Sequence, residues 1–188
     1  LADTQNADLF AAAETTPEWT RHLGSLKSRY PYSFSPYLGI FGLALYAKRP
    51  FTPALFRLGR RHMPLLRADF GDMVVYVAHP MPPANARLTT ENDAYMRDMA
   101  GLIARETKPV IVAGDLNATL WSHSLAPLMK LKMQWPRGSG MAYSWPAGKP
   151  WLRIQIDQVL TRRAVAGRYR TLGDVGSDHY PVRADLTF

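Results

Sequence analysis

Three carboxylates, two histidines and one asparagine stand where strands ought to begin or end, and a fourth carboxylate lies inside a strand. Glu14 follows the apolar run Leu9-Phe10-Ala11-Ala12-Ala13, and His79 closes Val75-Tyr76-Val77-Ala78. Asp115 and Asn117 follow Val110-Ile111-Val112-Ala113 through Gly114, and Asp178-His179 directly precedes Pro181-Val182. Loops that meet at one edge of a sheet are where sites are built. Glu14, Asp115, Asn117 and Asp178 offer hard oxygen, which suits Mg²⁺ or Mn²⁺ rather than zinc. Asp157 lies in the alternating stretch Leu152 to Leu160. A carboxylate inside a strand is costly unless paired. An imidazole is the natural partner, and His179 is the best placed. Such a pair fixes the ring tautomer and raises its basicity.

Each signal has a plainer reading when taken alone. Gly-Asp-Leu-Asn is a good turn, and Ser177-Asp178 a good capping pair. Asp157 could bridge to an arginine, His79 could be a satisfied strand-end histidine, and Glu14 a first-turn acid beside a helix dipole. Arg87, in the loop after His79, is a phosphate clamp or a surface arginine. Tyr143, Trp145 and Trp151, in the loop before Asp157, are stacking or pocket-lining aromatics, or rim packing. The joint pattern, each group at a strand edge, favours chemistry.

The elements that must position these groups are partly legible. Asp8 to Ala13 reads as a short buried strand. Thr16 caps a helix that Pro17 opens, with Trp19, Leu23, Leu26 and Tyr30 on one face until Pro31. Gly39 to Ala47 is a strand, with Pro50 and Pro53 opening a loop. Residues 72–79 form a β-branched strand. Glu91 to Glu106 is a helix with Tyr95, Met99, Leu102 and Ile103, or Met96, Met99 and Ile103, on its apolar side. Val110 to Ala113 is a strand buried on both faces. Ser122 to Leu131 is a short helix, 152–160 a strand, and Pro181 to Phe188 a strand turning Val182, Ala184, Leu186 and Phe188 inward. Strands mixed with helices in this way predict layered α/β or α+β architecture.

With 188 residues the chain is one domain by length, and 47% hydrophobic content excludes a disordered chain. The absence of cysteine excludes a disulfide scaffold, a thiolate zinc site and a cysteine nucleophile. The longest apolar run, Leu38 to Ala47, is too short to span a bilayer. The net charge of +8 favours polyanionic partners. Two blocks are acid-free: Lys48 to Arg67 (Lys48, Arg49, Arg57, Arg60, Arg61, Arg67) and Arg162 to Arg170 (Arg162, Arg163, Arg168, Arg170).

In this order the motifs resemble those of the endonuclease/exonuclease/phosphatase superfamily, whose fold is that of pancreatic deoxyribonuclease. Asp8 to Glu14 resembles its strand ending in glutamate, Gly39 to Pro50 its strand closing on Ser-Arg-x-Pro, and Val75 to His79 its histidine strand. Gly114-Asp115-Leu116-Asn117-Ala118, Ile156-Asp157-Gln158-Val159-Leu160 and Ser177-Asp178-His179-Tyr180-Pro181-Val182 match its remaining signatures. The resemblance implies an α/β fold, a two-layer β-sandwich flanked by helices, spanning residues 1–188 as a catalytic domain. It implies hydrolysis of phosphate esters with Mg²⁺ (or Mn²⁺). Glu14 and Asp178 would serve the metal, and Asp115 the attacking water. Asn117 would hold a non-bridging phosphate oxygen or the nucleophile, His179 oriented by Asp157 would be general base or transition-state stabiliser, and His79 would contact phosphate or leaving group. Arg87 and Trp145 are the substrate-side candidates. A phosphodiesterase or nuclease is the leading expectation, with nucleic acid as partner because of the basic blocks. A phospholipid or small-molecule phosphoesterase, or a polyanion-binding module without turnover, is the alternative. Two departures stand out. The family's opening strand with its asparagine would lie before Leu1, leaving a sheet edge exposed or filled by another chain; the membrane helices that bacterial members often carry would lie there too, so localisation stays open, with a membrane anchor as one option. Gln158 replaces the commoner His or Tyr.

Overall fold

The computed structural model describes residues 5–36, 38–136 and 141–188. β1 (Leu9–Ala13) pairs antiparallel with β3 (Leu43–Ala47), whose other edge takes β2 (Tyr32–Phe34). Between β1 and β2 run α1 (Pro17–His22) and a 3-10 segment, Leu23–Ser28. A second sheet has the order β4 (Thr52–Leu58), β5 (Met63–Asp69), β6 (Val74–Ala78), β7 (Val110–Asp115), β8 (Asp157–Arg162). Within it only β6 and β7 are parallel, and α2 (Ala86–Ala104) makes their crossover. After β7 comes the short α3 (Ala126–Lys130). β9 (Val165–Thr171) and β10 (Val182–Thr187) form an antiparallel pair.

Strand alternation assigns the two faces of the five-stranded sheet to two cores. One face turns Leu65, Tyr76, Val112 and Leu160 toward Tyr95, Met96, Met99 and Ile103 of α2. The other turns Leu66, Val75, Val77 and Ile111 toward Leu43 and Leu45 of β3, with Val182, Ala184 and Leu186 of β10 partly buried beside them. The result is the expected α/β sandwich, with helix on its outer face. Among the described residues no helix is long and apolar enough to cross a membrane.

Several local expectations need correction. The helix opened by Thr16, whose side chain accepts from Trp19 N, is α-helical only to His22, and Trp19 is exposed. Gly24 and two serines in Leu23–Ser28 are poor helix formers, which fits the tighter turns there. Gly39–Phe41 is a 3-10 turn ahead of β3, not part of it. Where a loop was expected after Pro50, β4 and β5 form a hairpin; Pro53 is tolerated because β4 is an edge strand. α2 begins at Ala86, capped by Asn85, so Arg87 lies in its first turn rather than in a loop. β8 begins at Asp157, and only Ile154 of the preceding residues makes a bridge, to Trp145. β9 was not anticipated. Phe188 is exposed, beyond the end of β10.

The basic blocks come apart in space. Arg49 is bidentate to Asp72 at 2.8 Å through both nitrogens, Lys48 meets Asp8 at 3.2 Å, and Arg67 meets Glu106 at 2.7 Å. Arg162 donates to Ile103 O and Glu106 O at the end of α2, and Arg170 lies 3.6 Å from Asp185. Arg60 and Arg61 occupy the β4–β5 turn, which the registers Leu58↔Met63 and Leu65↔Ala78 place at the end of the sheet where His79 leaves β6.

Candidate active site

One end of the sandwich collects the singled-out groups. β1 and β3 run antiparallel with Ala13 opposite Leu43, so Glu14 emerges beside Gly42. Parallel pairing of β6 and β7 brings His79 and Asp115 out at the same end. Asp157 is the register partner of Asp115, and Thr171↔Val182 delivers His179 there from the segment before β10. Two glycines permit this closeness. A Cβ on Gly114 would sit 2.1 Å from Ala78 O, and one on Gly42 would sit 2.0 Å from Thr15 O, so both contacts admit no side chain. Glu14 and Asn117 hold left-handed backbone, φ 56° and 49°. Such conformations are uncommon without glycine and concentrate at functional sites.

His179 Nδ1 lies 2.8 Å from Asp157 Oδ2. That bond leaves Nε2 facing Asp115 Oδ2 at 3.9 Å. His79 Nε2 stands 3.6 Å from Glu14 Oε1 and 3.8 Å from Asp115 Oδ2. These longer separations are charge contacts, with room for a ligand oxygen or a water between. Asp157 is held in place: its main-chain O accepts from Tyr169 Oη at 2.6 Å and its N–H donates to Ser144 Oγ at 3.4 Å. Asn117 N–H donates to Asp115 Oδ1, an Asx turn, and Asn117 Nδ2 donates to Pro80 O beside His79.

The electrostatics separate the groups. Burial, and then the Asp157 charge, push Asp115 up to about 7. Burial also pushes His79 down, against the nearby Glu14 charge. For His179 burial works downward, but the hydrogen bond and charge of Asp157 outweigh it, so the ring titrates above its ordinary value. The site thus holds a neutral imidazole, a readily protonated imidazole and a carboxyl poised near neutrality.

The structure brings together Glu14, His79, Asp115, Asn117, Asp157 and His179. Asp178 is exposed and bonds through its backbone, its O accepting from Ala147 N at 2.7 Å. The Trp145 ring stands 6.3 Å from that of His179, at the mouth of the site. Arg87 is exposed in the first turn of α2 and is not gathered with the others. Phe41 and Asn92 escaped the sequence reading, and Gln158 figured there only as a departure from the family pattern. Phe41 lies 6.3 Å, ring to ring, from His79. Gln158, fully buried, donates to Ala118 O. Asn92 Nδ2 donates to Met81 O at 2.9 Å and Leu116 O at 3.3 Å, tying the loop after His79 to the loop after Asp115. Its signal was available: an amide in the apolar stripe of α2.

Among the described residues no group of three or more Asp, Glu or His side chains forms a ready cation cage. The donor chemistry nevertheless fits a hard divalent ion. The Glu14 carboxylate is 71% exposed and, among the described residues, makes no hydrogen bond; it and the half-buried Asp115 both face His79 Nε2. Mg²⁺ takes one or two carboxylates and fills its remaining positions with water and substrate phosphate.

The model of the Endonuclease/Exonuclease/phosphatase family matches residues 1–179. Comparison with curated protein sequences finds no match. Among solved structures, D. rerio TDP2 complexed with single strand DNA product aligns at TM-score 0.78 and 15% identity, covering 100% of this chain and 88% of that one. Staphylococcus aureus beta toxin with bound magnesium ions aligns at 0.75 and 15%, covering 98% and 88%. The Bacteroides thetaiotaomicron mannosyl-6-phosphatase Bt3783 aligns at 0.72 and 16%, covering 100% and 88%. At these identities the structures speak for the fold.

Proposed function

Because the chain belongs to the endonuclease/exonuclease/phosphatase family, whose members are phosphoesterase enzymes, we propose that it hydrolyses a phosphate ester between His179 and Asp115. The observation that carries this reading is the Asp157–His179 pair at 2.8 Å, which leaves Nε2 aimed at a carboxyl of raised pKa. Two titratable groups with opposed environments divide the acid and base work. Asp115, poised near neutrality, takes a proton from the attacking water as the water oxygen bonds to phosphorus, the ester P–O bond breaks, and the departing oxygen takes up a proton from solvent. His179, biased toward its charged form by Asp157, donates a hydrogen bond from Nε2 to a phosphoryl oxygen as charge builds there. His79, kept neutral by burial, and Asn117 orient the ester. Glu14 is the residue that would hold a divalent cation, with Asp178 at its periphery. Such a cation supplies Lewis-acid polarisation of the phosphoryl group. A neighbour described with a single strand DNA product and another described as a mannosyl-6-phosphatase lend support to phosphate-ester chemistry, not to one leaving group.

The test is metal-dependent hydrolysis of a soluble diester, bis(p-nitrophenyl) phosphate, against a monoester. His179→Ala should lower kcat by about 10²–10³ with little change in KM. Full activity in His179→Ala sinks the proposal.

A further inference from the structure

His179 reaches the site from outside any strand. β10 begins only at Val182, and residues 173–178, ahead of the histidine, are exposed. The bonds from Gly176 N to Asp174 Oδ1 and from His179 N to Ser177 Oγ are local to that loop and give it no place in the fold. Residues 144–154 give it one. There Trp145 and Ile154 bridge antiparallel, with Trp145 N donating to Ile154 O at 3.1 Å and Ile154 N to Trp145 O at 2.6 Å. From this hairpin Ala147 N donates to Asp178 O at 2.7 Å, and Ser144 O accepts from Tyr180 N at 2.8 Å. The two bonds bracket His179, one residue to each side. Ser144 is fully buried, and its Oγ also accepts from Asp157 N at 3.4 Å. One residue of the hairpin thus meets the chain at Asp157 and the chain beside His179.

Alternation sorts the side chains of these extended segments into two faces. One face pairs Trp145 with His179, ring to ring at 6.3 Å. The other pairs Arg153 with Tyr180, the guanidinium carbon 5.0 Å from the ring centroid. Arg153 is a costly residue to place there. It is half-buried, and its Nε is buried with no hydrogen-bond partner among the described residues. An unmet buried donor costs free energy. Attraction between a guanidinium and a ring face offsets that cost. An apolar side chain would cover Tyr180 without incurring it, so cover alone does not account for an arginine.

We propose that residues 144–154 set the distance between Asp157 and His179, with Arg153 as a positioning residue. Stacked on Tyr180, it clamps the segment so that the preceding imidazole keeps Nδ1 on Asp157 and Nε2 toward Asp115. The consequence for rate rests on the phosphoesterase reading; the placement of the ring does not.

Long-range proton–nitrogen correlation spectra of the imidazoles read that placement, recorded in chelator at about pH 9, where histidine is neutral. The His179 signals are those lost in His179→Ala. The wild-type chain should show the Nδ1–H tautomer alone. Arg153→Ala and Tyr180→Leu should each move the signals toward a mixture of tautomers, and the two together should go no further than either alone. Tyr180→Phe, which keeps the ring face, should leave them in place. With magnesium and bis(p-nitrophenyl) phosphate, Arg153→Ala and Tyr180→Leu should lose about three- to tenfold in kcat with KM unchanged. A tautomer unmoved in both variants overturns the proposal, whatever happens to the rate. So does a mixture already present in wild type, or an equal shift in Tyr180→Phe. Tautomer shifts as stated, in a wild-type chain that hydrolyses neither diester nor monoester, uphold the positioning role and remove the phosphoesterase reading instead.

Discussion

Asp115 is the residue at which the site's electrostatics are most exposed to test. Burial and the neighbouring Asp157 charge raise it to about 7, far above the ordinary carboxyl value. The folded state then binds a proton that the unfolded chain has released, so stability falls as pH rises from about 4 to about 7. At pH 8 the buried charge is a standing cost. Asp115→Asn keeps an oxygen to accept from Asn117 N and removes that charge. In chelator at pH 8 it should raise unfolding free energy by about 1–3 kcal/mol, with little effect at pH 4, while hydrolysis is lost. Urea titrations at the two pH values measure this, and equal effects at both would contradict the assigned cause. The Asp157–His179 pairing was legible in the sequence because a carboxylate in an apolar stretch demands a partner. Gly42 was not, since a close backbone approach depends on what tertiary contact brings alongside; Asn92 gave a signal, an amide in an apolar stripe, but not the two loops it ties together.

At the scale of elements, the β5–β6–α2 junction is locked by charge at the end of the sheet opposite the site. Arg67 meets Glu106 at 2.7 Å and Asp69 at 3.1 Å, Lys108 meets Asp69 at 2.7 Å, and Tyr76 Oη donates to Glu106 at 2.7 Å. The Lys108 bond, working against partial burial, lowers Asp69 to about 2. A depressed carboxyl stabilises the fold above its unfolded value and loses that contribution as pH falls toward its folded value. Stability should therefore drop between about pH 4 and about pH 2, and Lys108→Ala should flatten that drop and lower stability at pH 7. Chemical denaturation across the window decides it; an unchanged slope removes Asp69 from the account. Long periodic elements such as β6, β7 and most of α2 were legible because one face or both had to be apolar. The β4–β5 hairpin was hidden by Pro53 and Pro64, tolerable only at an edge or a strand start, and β9 by arginines that read as a surface block. Arg162 looked like part of a polyanion site but caps the end of α2, a role set by tertiary approach rather than by local sequence.

For the whole molecule, the site is a seam between layers. Glu14 comes from the three-stranded sheet, His79, Asp115 and Asp157 from the five-stranded sheet, and His179 from the segment entering β10. Three carboxylates converge across that seam on two imidazoles, of which only His179 is biased toward its charged form. Like charges gathered from separate layers push those layers apart, and a divalent cation at Glu14 would turn the repulsion into a link between them. Binding to the folded state alone stabilises it by about 2.7 kcal/mol at a hundredfold excess over Kd, worth roughly 5–10 °C in Tm for a chain of this size. Magnesium should therefore raise Tm in a calorimetric scan, and Glu14→Gln should lose most of that rise. A weak magnesium response in wild type, or an undiminished one in Glu14→Gln, would show that Glu14 is not the cation's anchor. Asp115→Asn sharpens the comparison: relieved of its buried charge, it should start from a higher metal-free midpoint and gain less from magnesium than the wild type does.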